Sequence, residues 1–466
     1  MIDLNKKPAF SRSSRPSSSD RNSTRNPSRK FSKENESKLV WKQNNSTPNI
    51  RMMTMRQGVS ERVMHEQPCK ILEKCGSCPS LDLAYKTQLQ QKTADFKSRL
   101  LKAGDEFQRS IVKDCIESEE KFGYKHHVKM VASEHSGLKS SQFSNFANPK
   151  RWIDLGVYNQ SSNEVVDTGR CPIQTNVMND ISAYIRTGIR VHNVSVYTPK
   201  QKDGLLHCVI LRSSHYTRQA QVTFVVTKAD LNLLRPFARD ISEKFMNIQG
   251  VFMQVASPDQ NEEKQEQELK LLVGQDLIEE KYSDIILKFS AASFMPTNTL
   301  MARRIYNRIE ELAELTGKET VIDLYCGAGG VSLALARSSR EVIGVDNSSF
   351  AIKDAIRNAK SNNISNVGFY EGESSNIISK LIEEKRIYKA DVIVMNPPKN
   401  GCGMNTIEQI KKLEPKAVLY LSSFFSSMLK DLKSFAVHGY TPVIFEPFDT
   451  FPGTDNYEVL CYLVKN

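Results

Sequence analysis

The sequence lacks any long hydrophobic run. Across its 466 residues, no uninterrupted apolar stretch reaches the roughly 18 residues that predict a membrane-spanning helix. The chain also opens without the charged, apolar and cleavage-site pattern of a secretory signal. We therefore expect a cytoplasmic protein with no membrane partner. Cytosolic thiols stay reduced, so disulfides are not expected among the nine cysteines.

The first 60 residues contain few apolar side chains. They carry 13 lysines and arginines against four acidic residues, so they supply nine of the eleven net positive charges of the chain. A Ser/Arg-rich segment of this kind buries too little apolar surface to offset the conformational entropy lost on folding. We therefore expect a disordered basic arm over residues 1–60. Such an arm binds nucleic-acid phosphates without reading sequence. A solubilising tail and an organelle transit peptide are the alternatives.

Four cysteines have the spacing of a ligand set. Cys69, Cys75 and Cys78 lie within ten residues, and Cys171 stands next to a proline further along the chain. This pattern predicts a four-thiolate site for zinc or for an iron–sulfur cluster, and the spacing alone does not choose between the two. The remaining cysteines in apolar surroundings are expected in the core: Cys115, Cys208, Cys326 and Cys461.

The C-terminal part alternates between strand and helix patterns. The strand-like runs are ETVIDL, EVIGVD, VGFY, ADVIVM and KAVLYLSS, and a final strand pair is TPVIFEPFD and YEVLCYLV. Alternation of this length predicts an α/β fold with a doubly wound, mostly parallel sheet. Ligands bind such sheets at the carboxyl ends of the strands.

A glycine-rich turn follows the first of these strands. It contains Gly327 and Gly329, and Asp346 ends the next strand about twenty residues on, where its carboxylate can accept hydrogen bonds from a ribose. This pattern predicts a cofactor that contains a nucleoside. The turn reads G-A-G-G, which is closer to the first motif of S-adenosylmethionine-dependent methyltransferases than to the G-x-G-x-x-G of dehydrogenases, the alternative here.

Seven motifs together resemble one family. They are C-x5-C-G-S-C, GYKHHVKMV, LGVY with a following C-P, SFMPTN, DLYCGAGG, NPPKNGCG and FPGTDNYEVL. In this order and spacing they resemble the RNA uracil-C5 methyltransferases, and within them the iron–sulfur enzymes of 23S ribosomal RNA that lack a TRAM domain. The resemblance runs from about Cys69 to the end of the chain.

The resemblance implies a domain organisation and a set of ligands. Residues 61–290 would form a central RNA-contacting domain, with 79–113 as a helix packed on the catalytic domain, and 291–466 would bind S-adenosyl-L-methionine. Cys69, Cys75, Cys78 and Cys171 would hold a [4Fe-4S] cluster. The partner would be RNA, in particular 23S rRNA, with no DNA, and the protein would be a monomer. Cofactor contacts are implied for Pro296, Tyr325, Gly327, Gly329, Asp346, Glu373 and Asn396.

The family's chemistry needs a cysteine that this chain does not have in the usual place. Uracil C5 becomes nucleophilic only after a thiolate adds to C6, and a carboxylate later removes the C5 proton. The resemblance places the carboxylate at Glu458. It places Ser423 where the cysteine belongs, and no cysteine lies between Cys402 and Cys461.

Further departures lie in the same motifs. Pro296 replaces a glutamine, Lys399 replaces an arginine that would present a planar fork, and Phe424 and Phe425 replace smaller residues. Lys399 and Phe424 are the expected substrate contacts.

Three functions remain open from the sequence. The protein still methylates uracil C5, with Cys402 as a substitute nucleophile, although a loop-filling role for Cys402 is the simpler interpretation. Alternatively it methylates a different atom, since N-P-P-K partly resembles the N-P-P-[FY] of amino-group methyltransferases. Or it is a non-catalytic RNA-binding protein. Of these three, the function we expect from the sequence is that of an RNA methyltransferase of the uracil-C5 family.

Overall fold

The structure is a computed structural model that describes residues 69–104, 107, 109–136, 151–159, 161–162, 164–256 and 268–466. Its contacts divide the chain into Met1–Glu61 and one compact unit, Arg62–Asn466. The basic arm predicted for residues 1–60 lies outside the described residues. Within the described ranges, no helix is long and apolar enough to cross a membrane.

The described residues form helices and strands in alternation. The helices are α1 (Leu72–Cys75), α2 (Tyr85–Ala103), α3 (Asn176–Val191), α4 (Leu231–Lys244), α5 (Thr299–Ala313), α6 (Gly330–Ala336), α7 (Ser349–Ser361), α8 (Ser374–Glu383), α9 (Gly403–Leu413) and α10 (Phe425–Val437). The strands are β1 (Ile111–Val112), β2 (His127–Ser136), β3 (Arg151–Tyr158), β4 (Val165–Asp167), β5 (Leu206–Ser213), β6 (Ala220–Val226), β7 (Ile248–Val255), β8 (Glu268–Gly274), β9 (Leu277–Tyr282), β10 (Ile285–Ser290), β11 (Thr320–Leu324), β12 (Glu341–Asp346), β13 (Val367–Glu371), β14 (Val392–Met395), β15 (Ala417–Ser422), β16 (Tyr440–Phe448) and β17 (Glu458–Lys465).

The C-terminal part is built on an eight-stranded sheet with the order β1-β16-β17-β15-β14-β11-β12-β13. The five strands from β15 to β13 pair in parallel, and β17 pairs antiparallel with both of its neighbours. Ile322 and Leu324 of β11 pack in one core with α8, α9 and α10, whereas Val321 packs on the opposite face with α5 and α6. Helices on both faces explain why these strands read as continuous apolar runs. The predicted α/β Rossmann-like fold is confirmed.

A second sheet of seven strands precedes it, in the order β4-β3-β2-β5-β6-β7-β8. Apolar residues of α3 and α4 share one core with this sheet. The two helices approach closely because α3 carries Gly188, where an added Cβ would lie 2.1 Å from the ring of Phe237 in α4. Side chains cap both helices: Thr175 accepts from the N–H of Met178, and Asp230 accepts from the N–H of Leu233.

The segment that follows the first three clustered cysteines packs on the C-terminal sheet. Phe96 of α2 contacts Phe425 with 5.0 Å between ring centroids and Phe445 with 5.7 Å. Strand β1 pairs in parallel with β16 and so extends the C-terminal sheet at its edge. The hairpin β9–β10 likewise packs in a core with α6 and α7. Segments before residue 290 therefore pack into the C-terminal sheet and its helices. The predicted boundary between domains 61–290 and 291–466 stays a prediction.

Candidate active site

The glycine-rich turn connects β11 to α6 through an unusual backbone. Tyr325, Gly327 and Gly329 have φ angles of 62°, 54° and 86°, all in the left-handed region. Such a conformation costs a non-glycine residue about 1–2 kcal/mol, so holding Tyr325 there requires support from its surroundings. Gly329 is the N-cap of α6 and leaves no room for a side chain, because a Cβ would lie 3.0 Å from the ring of Phe369. The turn thus presents its backbone above the end of the sheet.

Asp346 fastens this turn from the neighbouring strand. Its carboxylate accepts the N–H of Gly327 at 2.9 Å and the N–H of Ser348 at 2.9 Å, one on each oxygen. Each carboxylate oxygen retains further lone-pair capacity. The arrangement can therefore hold the turn and accept hydrogen bonds from a ligand diol at the same time.

A cleft of about 1230 Å³ opens at the carboxyl ends of these strands. It is large enough for a cofactor with a flipped nucleobase beside it. Ten of the side chains expected at the site line the cleft: Pro296, Tyr325, Gly327, Asp346, Glu373, Asn396, Cys402, Ser423, Phe424 and Glu458. Two expected residues do not line it. Gly329 shapes the turn from behind, and exposed Lys399 lies beside Phe424, with its Nζ 5.7 Å from the ring centroid.

Ser423 and Glu458 meet on the floor of the cleft. Ser423 follows β15 and Glu458 begins β17, and pairing of Ser422 with Val459 brings them together. The Ser423 hydroxyl donates to Glu458 Oε1 at 2.8 Å. Burial raises the pKa of the Glu458 carboxyl above its usual range, and the hydrogen bond from Ser423 opposes this shift. A carboxylate with a raised pKa suits proton transfer. The Ser423 hydroxyl, in contrast, is barely ionised near neutral pH and cannot replace a cysteine thiolate as nucleophile.

The two phenylalanines after Ser423 face different surroundings. Phe424 is 43% exposed and lines the cleft, while Phe425 is buried against Phe96 of α2. The backbone of Phe424 is fixed locally: its N–H donates to Ser422 Oγ at 2.9 Å, and its carbonyl accepts from Ser427 Oγ at 2.9 Å. Of the two rings, the structure therefore brings only Phe424 to the cleft, whereas Phe425 belongs to the core.

Cys402 lies in the cleft but is held as a thiol. It is the N-cap of α9, and Asp431 of α10 accepts its backbone N–H at 2.7 Å and the Tyr420 hydroxyl at 2.7 Å. Burial and the Asp431 carboxylate raise the pKa of the Cys402 thiol well above its usual range. A nucleophilic cysteine needs the opposite shift. The geometry favours the loop-filling interpretation over the substitute nucleophile.

The four clustered cysteines come together next to Tyr124. Cys69 and Cys171 pack against buried Cys78. All nine cysteines lie in the described part of the chain, and none of them is in a disulfide. Burial, then the Cys171 and Cys75 thiols, raise the pKa of Cys78 to about 12. In the ranges that the structure describes, no three His, Cys, Asp or Glu side chains converge tightly enough for a single metal ion. Four cysteine thiols brought together in this way are by their chemistry a donor set for an iron–sulfur cluster or for zinc.

Sequence reasoning missed the support of the loop that precedes Glu458. Lys92 of α2 is buried and donates to Asp449 Oδ1 at 2.5 Å, to the carbonyl of Phe451 at 3.1 Å and to the carbonyl of Asn456 at 2.9 Å. Asp449 is fully buried as well. The loop also contributes Thr450, Phe451 and Asn456 to the cleft wall. The partners are separated by more than 350 residues, so no local pattern could reveal them.

Sequence reasoning also missed two exposed apolar side chains of the cleft, Phe294 and Met404, and the raised pKa of buried Asp323. Phe294 and Met404 line the rim of the cleft together with Phe424. Their exposure could be recognised only after folding. Beneath the glycine turn, burial raises the pKa of Asp323 to about 7, although Ser332 donates to its carboxylate at 2.6 Å.

The fold and the cleft define a class I methyltransferase, and comparison with known proteins agrees. A family model described as tRNA (Uracil-5-)-methyltransferase matches residues 261–466. An uncharacterized RNA methyltransferase of Geobacter sulfurreducens is 30% identical over 397 residues, which cover 85% of this chain and 77% of that protein. An uncharacterized RNA methyltransferase of Bacillus cereus is 28% identical over 398 residues, covering 85% and 83%.

The structural comparison supports the same fold. A tRNA (uracil-54, C5)-methyltransferase of Pyrococcus abyssi, solved in complex with S-adenosyl-L-homocysteine, superposes with a TM-score of 0.63 at 21% identity. The match covers 83% of this chain and 85% of that one. The family model and the sequence relatives show that the chain belongs to the RNA (uracil-5-)-methyltransferase family. This confirms the uracil-C5 methyltransferase resemblance drawn from the motifs, while membership of the iron–sulfur 23S rRNA subgroup stays a prediction.

Proposed function

We propose that this protein transfers a methyl group from S-adenosyl-L-methionine to a base in RNA. The observation that carries the proposal is the single cleft that brings together the glycine turn, Asp346 and the Ser423–Glu458 pair. Asp346 and Glu373 would accept hydrogen bonds from the nucleoside part of the cofactor, and Gly327 would allow its close approach. Tyr325, Pro296 and Asn396 would line the methionine and methyl end.

The remaining site residues would handle the base. Glu458 would take a proton from it, because desolvation raises the pKa of its half-buried carboxyl. Phe424 would stack on the base, and Lys399 would contact a neighbouring phosphate or carbonyl. Ser423 would orient Glu458 through their hydrogen bond. None of these roles requires a covalent adduct with the enzyme.

The RNA substrate is proposed from the family resemblance. It is 23S rRNA, bound by the cytoplasmic protein as a monomer, with the 1–60 arm adding affinity through phosphate contacts. Lys125 lies close enough to the cysteine cluster to oppose the rise that burial causes in the pKa of Cys78. A basic side chain at that position would place the cysteine region on the RNA-facing part of the protein.

The four cysteines would hold a [4Fe-4S] cluster. Bound there, the cluster would supply a rigid cross-link between the Cys69–Cys78 segment and Cys171. Positive charge on iron would also offset the cost of ionising four neighbouring, partly buried thiols, a cost that is visible in the raised pKa of Cys78. Its contribution would be structural.

Ser423 favours a second candidate, an RNA-binding protein without catalysis. The cleft argues against it, since Asp346 and the glycine turn keep a complete hydrogen-bonding arrangement. The two candidates differ in one measurable property, the binding and use of the cofactor.

The test is transfer of tritium from methyl-labelled S-adenosylmethionine to RNA from cells that lack the gene. The wild-type protein is expected to label the RNA, and Asp346→Ala to weaken cofactor binding by about 10- to 100-fold, because a charge-assisted hydrogen bond contributes about 1.5–3 kcal/mol. Glu371→Ala is the matched control. Glu371 is the exposed acidic residue paired with Asp346 on the next strand. Absence of both cofactor binding and label in the wild-type protein would reject the enzyme and leave the non-catalytic candidate.

A further inference from the structure

The edge of the sheet places three polar side chains in a row beside the cofactor turn. The strands run in the order β17-β15-β14-β11, and Glu458, Ser423, Asn396 and Tyr325 stand at or just beyond the ends of these strands. Asn396 therefore lies between the glycine turn and the Ser423–Glu458 pair. A base that receives a methyl group in this cleft must present the reacting atom to this row.

The row is rich in hydrogen-bond acceptors. The proton of Ser423 is already donated to Glu458 at 2.8 Å, so the Ser423 oxygen is left as an acceptor. The Glu458 carboxylate accepts as well. Asn396 is exposed to the cleft, and its carboxamide makes no hydrogen bond with any residue that the structure describes, so its oxygen can accept and its NH2 group can donate.

The Ser423 and Glu458 oxygens of this row do not suit the C4 carbonyl of uracil. That carbonyl oxygen is itself an acceptor and is bonded to the carbon next to C5. The Glu458 carboxylate and the Ser423 oxygen, whose proton is already donated, would face the carbonyl oxygen with partial charges of the same sign. An exocyclic amine has two N–H donors and matches the row. Cytosine carries this amine on C4, next to the C5 position, so it requires a small change from a uracil site.

Phe424 supplies the remaining element. Its ring is exposed in the cleft, and its backbone is held by hydrogen bonds with the Ser422 and Ser427 hydroxyls. The Nζ of Lys399 lies 5.7 Å from its ring centroid, within the range of a cation–π contact. An aromatic ring at this position can stack on a base of any identity.

Building on the proposed methyl transfer, we infer that the reacting atom is the exocyclic amine of an RNA base, with cytosine N4 as the principal target, and not uracil C5. The amine donates its two N–H groups to Asn396 and Glu458, which increases electron density on nitrogen. The nitrogen attacks the methyl carbon of the sulfonium. A C–N bond forms, and the S–C bond breaks with its electron pair left on sulfur. The cationic nitrogen then loses a proton to Glu458, giving the N-methyl amine.

The test identifies the labelled nucleoside. Full-length protein is incubated with trideuteromethyl S-adenosylmethionine and total RNA from cells lacking the gene, and the RNA is digested for mass spectrometry. Label in N4-methylcytidine, or in another amine-methylated nucleoside, is expected. Label in 5-methyluridine, in a ring-nitrogen product or in a 2′-O-methyl product would overturn the inference and leave the proposed function standing. Absence of label would overturn both.

Two further measurements separate the mechanisms. RNA containing 5-fluorouridine is expected to form no stable adduct with the wild-type protein, whereas a denaturation-resistant protein–RNA band would overturn the inference. Ser423→Ala is expected to lower kcat by about 10- to 100-fold without abolishing activity, the cost of one hydrogen bond to a carboxylate. Complete loss of activity in a folded Ser423→Ala protein would assign Ser423 a covalent role.

Phe424→Leu tests the stacking ring. Loss of one base–aromatic stack is expected to raise KM for RNA by about 5- to 100-fold with a smaller change in kcat. Tyr388→Leu is the control, because Tyr388 is an exposed aromatic that does not line the cleft. Equal KM values for the two variants would remove Phe424 from the base-binding site.

Discussion

Replacing Lys92 with Met should destabilise the protein strongly although Lys92 lies on a different element from every candidate catalytic residue. The substitution keeps the length of the side chain and removes three hydrogen bonds, to Asp449, to the carbonyl of Phe451 and to the carbonyl of Asn456. It also leaves Asp449 buried without its cation. Breaking a buried ion pair on one side costs about 3–5 kcal/mol. We expect a loss of this size in the free energy of unfolding.

The assay is urea unfolding followed by circular dichroism. Lys97→Met is the matched control on the same helix, since Lys97 pairs with Asp114 at 3.0 Å with both side chains largely exposed. An exposed pair contributes about 0–1 kcal/mol, so this variant should unfold nearly like the wild type. Adding Asp449→Asn to Lys92→Met should recover part of the stability, because the unpaired charge is removed. A loss below about 1 kcal/mol for Lys92→Met would refute the role given to this pair.

Three other expectations follow from the structure and the sequence. Burial raises the pKa of Asp323 to about 7, so its folded form keeps a proton that the unfolded chain releases near pH 4. Stability should therefore fall as pH rises from about 4 to 7, and Asp323→Asn should flatten this dependence by up to about 3 kcal/mol between pH 5 and pH 8; parallel curves would contradict it. Anaerobically purified protein should absorb in the visible range and contain iron, and Cys171→Ser should lose both, whereas Cys208→Ser, at a buried cysteine elsewhere, should not; colourless wild-type protein with stoichiometric zinc would contradict the cluster. Deleting residues 1–60 removes nine net positive charges and should flatten the salt dependence of RNA binding; an unchanged slope would exclude the arm from the contact.

The central strands of the C-terminal sheet, β11, β12, β14 and β15, could be predicted because both of their faces are buried. Each predicted apolar run coincides with a strand, from Thr320–Leu324 to Glu458–Lys465, and the turn with Gly327 and Gly329 follows the expected strand. Asp346 could be placed at the same edge because parallel strands bring their carboxyl ends together. The alternation of strand and helix was enough to define this part of the fold.

Other features depend on contacts that a linear pattern does not contain. Strand Ile111–Val112 is too short to show a period, yet it extends the C-terminal sheet. The motifs placed Cys402 on the correct face, but Asp431, which raises the pKa of its thiol, comes from a later helix. Adjacent Phe424 and Phe425 separate into cleft and core only because a helix begins between them.

The most direct test of the central claim, that this protein methylates RNA, is nucleoside mass spectrometry of ribosomal and transfer RNA from cells with and without the gene. We expect one methylated nucleoside to disappear from a defined fragment of 23S rRNA in cells without the gene. Expression of the wild-type protein should restore it, and expression of Asp346→Ala should not. Identical methylated nucleosides in both sets of RNA would contradict the account.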